Sequence, residues 1–70
     1  VGTSQRYSNR LCARRQLVKI IRHLQESSKM LLDIGSKYKE ASPIVSEACL
    51  EMDKLLTMCE AIANDIRDQI

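Results

Sequence analysis

A heptad pattern runs through nearly all of this chain, and it constrains the fold more than any other feature. Apolar or small residues recur at Leu17, Ile21, Leu24, Ser28, Leu31, Gly35 and Tyr38, with spacings that alternate four and three. A second set follows at Val45, Ala48, Met52, Leu55, Cys59, Ile62 and Ile66. Each is sustained for about three repeats, which is a helical period and not the period of two that a strand requires. The residues that fill it agree. The 70 residues hold no Phe or Trp and one Pro, and their apolar content comes from Leu, Ile, Val, Met, Ala and Cys. Straight-chain and γ-branched residues lose little side-chain freedom in a helix. The fold class read from this pattern is all-α.

Between the two seams stands Lys39-Glu40-Ala41-Ser42-Pro43. Ser42 suits an N-cap, and Pro43 suits the first helical position, where its missing N–H costs nothing. Pro also steers Ser42 out of the helical region, so the first helix should end before it. The expected elements are helix 1 over about 8–39 and helix 2 over about 43–69. A connection this short makes them an antiparallel hairpin. The alternative is a three-helix bundle with an extra break at Gln25–Ser28, but no Gly or Pro stands there to turn the chain. Pairing the seams about the turn sets Gly35 against Ala48, Leu31 against Met52, Ser28 against Leu55 and Leu24 against Cys59.

Charge is divided along the chain. Residues 1–26 carry six basic groups and Glu26, for +5, whereas residues 40–70 carry seven acids against Lys54 and Arg67, for −5. In an antiparallel hairpin the basic start of helix 1 is expected beside Glu60, Asp65 and Asp68. Such exposed pairs contribute only about 0–1 kcal/mol each, so their role is to disfavour the wrong orientation.

A chain of this length is marginal for closing a core alone and ordinarily needs a staple or a partner. Its three cysteines, Cys12, Cys49 and Cys59, form no close pair and have a single His for company, so a zinc site lacks ligands. An odd cysteine count also argues against a disulfide framework and for a reducing compartment, cytoplasmic or nuclear. The chain begins without Met. Residues 1–7 are read as a flexible or cloning-derived N-terminus, and 8–70 as a helical interaction domain of a larger intracellular protein.

Further apolar residues flank the seams, giving the wide stripe of a bundle helix in place of the narrow seam of a two-stranded coiled coil. Leu11, Val18 and Leu32 form one flanking line on helix 1, and Cys49, Leu56, Ala63 and Ile70 form another on helix 2. These are the expected partner-binding residues, closing a four-helix bundle against a second copy or another helical protein. The function expected is therefore non-catalytic: protein–protein interaction or oligomerisation, as in a scaffold or assembly subunit. No catalytic residue, cofactor or metal site is expected. Catalysis needs a nucleophile with an oriented base, and the only histidine, His23, stands next to Arg22. The alternative function is binding of nucleic acid or an anionic surface through Arg10, Arg14, Arg15, Lys19 and Arg22. A formal net charge of +2 is weak support for it.

Overall fold

The computed structural model describes residues 2–70, with side chains described from Ser8 onward. Two helices make up the fold: α1 spans Gly2–Lys37 and α2 spans Pro43–Gln69. They pack against each other along their lengths as an antiparallel hairpin. The expectation for residues 1–7 falls on side chains outside the described ones. α1 runs unbroken through Gln25–Ser28, so the three-helix alternative is set aside. Its serines are tolerated because a helix of this length, held by tertiary contact, absorbs their small propensity cost.

α1 ends two residues earlier than the sequence suggests. The amide of Tyr38 still donates to the Ile34 carbonyl at 3.0 Å, and the Ser42 amide closes the turn on the Tyr38 carbonyl at 2.8 Å. Ser42 occupies the N-cap position with extended backbone, and Pro43 follows as the first helical residue. The Ser42 hydroxyl makes no capping bond; its carbonyl accepts the first helical bond of α2, from the Ser46 amide at 3.1 Å.

The hairpin is a rod. Its extents are 60 × 15 × 11 Å, and its radius of gyration is 16.9 Å, against about 11 Å for a compact domain of this length. Its core is correspondingly thin. Leu17 and Ile21 of α1 meet Ala63 of α2 at 8%, 8% and 5% exposure, and Ile70 packs against this cluster. Nearer the turn, Gly35 faces Cys49. A Cβ placed on Gly35 would lie 3.4 Å from the Cys49 Cβ and 3.7 Å from the Ser46 carbonyl oxygen. Gly35 therefore marks a close approach of the helices, opposite Cys49 and Ser46 and not opposite Ala48.

That substitution of neighbours holds along all of α2. Its contact face is Ser46, Cys49, Asp53, Leu56, Glu60, Ala63, Arg67 and Ile70, every one of them buried or half-buried. The line expected to form the seam, from Val45 through Leu55 to Ile66, is exposed throughout. One residue step turns a helix by about 100°, so α2 is rotated by roughly one step from the expected orientation. Position along the axis is close to expectation, since Ser28 meets Asp53 where Leu55 was expected. The short turn is the physical reason. With Ser42 bonded back to Tyr38, Ser46 and Cys49 are the first side chains of α2 to reach α1.

Candidate functional site

The rotation of α2 divides the molecule into two unlike edges. On one edge the seam is closed by polar groups. The Gln25 side-chain amide donates to Glu60 at 2.8 Å, and the Ser28 hydroxyl donates to the half-buried Asp53 carboxylate. Heptad spacing places Leu11, Val18 and Leu32 in line with Gln25, and Ser46 and Arg67 in line with Asp53 and Glu60, so all of these share the polar edge.

The opposite edge is apolar on both helices. α2 contributes Val45, Met52, Cys59 and Ile66 beside the contact face, then Ala48, Leu55 and Ile62 farther out. α1 contributes Ile20 and Ile34, with Met30 one line beyond. Met52, Leu55 and Ile62 are 52%, 59% and 56% exposed. Heptad spacing places these residues on one side of the rod, a clustering unlike the singly scattered exposed leucines usual on a monomer.

The expected partner-binding residues are split by this arrangement. Leu11, Val18 and Leu32 are exposed, but on the polar edge. Cys49 and Ala63 are buried in the hairpin seam, and Leu56 and Ile70 are half-buried there. Within the hairpin these four lie against α1, because the turn directs their line toward it. The residues that sequence reasoning placed in the seam, Val45 to Ile66, are the ones left open. The missed signal was polar: Asp53, Glu60 and Arg67 recur at heptad spacing beside the Cys49 line, and each finds room at the edge of a seam that excludes water poorly.

No family model, curated protein or solved structure matches the chain. The surfaces themselves therefore carry the functional argument.

The basic residues of α1 form a second feature. Leu11 and Val18 floor a shallow groove of about 540 Å³, rimmed by Arg14, Arg15, Lys19 and Arg22 and completed by Arg67 of α2. Arg10 is exposed and does not line it. The expected pairing with the acids of α2 is not realised. Among the described residues the ion pairs are Lys37–Asp33 and Lys54–Glu51, and His23 lies 4.0 Å from Glu26, all within one helix and exposed. Rotation of α2 is again the cause. It turns Asp65 and Asp68 to solvent, assigns Glu60 to Gln25, and brings the cation Arg67 to the groove instead.

The three cysteines are free thiols: Cys49 is buried in the seam, while Cys12 and Cys59 are exposed. His23 is exposed on the outer side of α1. Among the described residues no group of three His, Cys, Asp or Glu is placed to hold a metal ion. No described helix is long and apolar enough to cross a membrane.

Proposed function

We propose that the chain is a non-catalytic oligomerisation module whose apolar edge closes against a second copy to form a four-helix bundle. The single observation that carries this reading is the uncovered line Val45, Ala48, Met52, Leu55, Cys59, Ile62 and Ile66, whose large side chains are all more than a third exposed. Two lines of each helix would then face the bundle axis. On α1 they are Leu17, Leu24 and Leu31 with Ala13, Ile20, Ser27 and Ile34. On α2 they are Cys49, Leu56, Ala63 and Ile70 with Val45, Met52, Cys59 and Ile66, and Ala48, Leu55 and Ile62 border them against the second copy. Only Ser27 among these is polar, and paired apolar lines on each helix are what a bundle core requires.

Area supports the same reading. The hairpin exposes 5797 Å², whereas a compact monomer of this mass exposes about 4,500 Å². That excess belongs to the whole rod, whose helices share one thin seam, and an interface of standard size takes roughly 800 Å² from each partner. Burying apolar area is the dominant favourable term in association, and this face supplies it without rearranging the hairpin.

Light scattering across a dilution series tests the proposal. A mass of two chains that falls on dilution supports it, and Leu55→Glu with Ile62→Glu should leave a single chain. A folded monomer at every concentration overturns self-association and assigns the same face to a different helical protein.

A further inference from the structure

The groove at the open end of the hairpin lies on the polar edge, away from the proposed assembly face, and it needs its own explanation. Among the described residues five cations surround it and no carboxylate lines it. Holding Arg14, Arg15, Lys19, Arg22 and Arg67 around one recess raises the local positive potential, and none of the six acids of α2 lines it. Leu11 and Val18 form the floor, 36% and 41% exposed.

We infer that this groove docks an acidic amphipathic helix from a partner protein. The apolar floor takes a ridge of aliphatic side chains, and the rim takes the carboxylates that flank the ridge. Helix-in-groove recognition uses this combination of apolar anchors and charged borders. The carboxylates set orientation and speed of docking, while the anchors hold the complex. Arg is suited to the rim because its planar fork can grip a carboxylate with two parallel hydrogen bonds.

Other anionic partners fit less well. Nucleic acid uses cations together with stacking or base-reading groups, and among the described residues the apolar lining is aliphatic, with no aromatic residue. A membrane-binding helix presents a wide apolar face to the bilayer, whereas here Leu11 and Val18 are the two apolar residues among the seven described ones that line the groove.

Fluorescence anisotropy of the intact chain tests the inference. One labelled probe is a helical peptide with leucine at i, i+4, i+7 and i+11 flanked by glutamate; a second has lysine in place of each glutamate. The expected result is salt-sensitive binding of the glutamate peptide and none of the lysine peptide. Arg15→Glu with Arg22→Glu should weaken it by about tenfold or more, as expected from losing two rim cations and adding two repulsive charges. Val18→Asp should weaken it while circular dichroism remains that of the parent chain. Ile62→Glu should leave it unchanged, which separates this groove from the assembly face. Equal binding of both peptides overturns the inference, as does binding lost on Ile62→Glu. Tight binding of a labelled DNA duplex or of anionic vesicles, untouched by Val18→Asp, would reassign the groove to that partner.

Discussion

The two long faces of α2 differ in a way that inverts the usual order of a protein. The face turned toward α1 carries Ser46, Asp53, Glu60 and Arg67 beside Cys49, Leu56 and Ala63. The face turned toward solvent carries Val45, Met52, Leu55, Ile62 and Ile66. The more apolar face is thus the uncovered one. In the proposed bundle a hairpin arranged this way would supply half of a core, and its polar inner line would become an outer border once the apolar face is closed. Position in the hairpin and position in the proposed bundle are therefore different things for the same residue.

That contrast is broken most severely at the inner seam. Ala63→Glu places an unpaired charge against Leu17 and Ile21, a change that costs about 3–5 kcal/mol or more where a buried charge lacks a partner. Helical circular dichroism should collapse at all chain concentrations. Ile62→Glu, one residue earlier, should instead retain helicity and lose its concentration-dependent melting. If both variants unfold alike, the two faces are not distinct.

A smaller effect separates the polar edge from the apolar one. Ser28→Ala leaves the half-buried Asp53 carboxylate without its donor, and should lower stability by about 1–3 kcal/mol in a urea melt. Replacing both, Ser28→Ala with Asp53→Leu, should recover that loss, because two apolar groups need no partner. The smallest effect is expected beside the turn. A Cβ at Gly35 meets Cys49 at ordinary contact distance, so Gly35→Ala should change stability by between zero and about +1 kcal/mol through reduced freedom of the unfolded chain. Gly35→Leu has no such room and should lower the melting temperature.

Much of the fold was legible in the sequence because helical period and turn chemistry are local properties. The heptad seams gave two helices, and Ser42-Pro43 gave the start of the second to the residue. Level along the axis was also close, because a short turn leaves little slack. Azimuth was not legible. Two apolar lines lie side by side on α2, and hydrophobicity alone prefers the richer one, Val45 to Ile66. The turn prefers the other, since Ser42 is bonded to Tyr38 and hands Ser46 and Cys49 to Gly35. The same rotation explains why the basic groove is closed by Arg67 and not neutralised by Asp65 and Asp68. Seam composition was readable in one dimension, and the phase of one helix against the other was set in three.

The three thiols report on the three regions, and their labelling rates test the central claim directly. Cys49 lies in the seam, Cys12 in the open basic end, and Cys59 on the uncovered apolar face. Modification with a thiol reagent, resolved by peptide mass, would be followed from dilute to concentrated solution. The account predicts that Cys12 reacts quickly and Cys49 slowly at every concentration, while Cys59 passes from quick to slow as chains associate. A Cys59 that reacts as fast as Cys12 throughout would contradict it, because the apolar face would then stay open with nothing to close it.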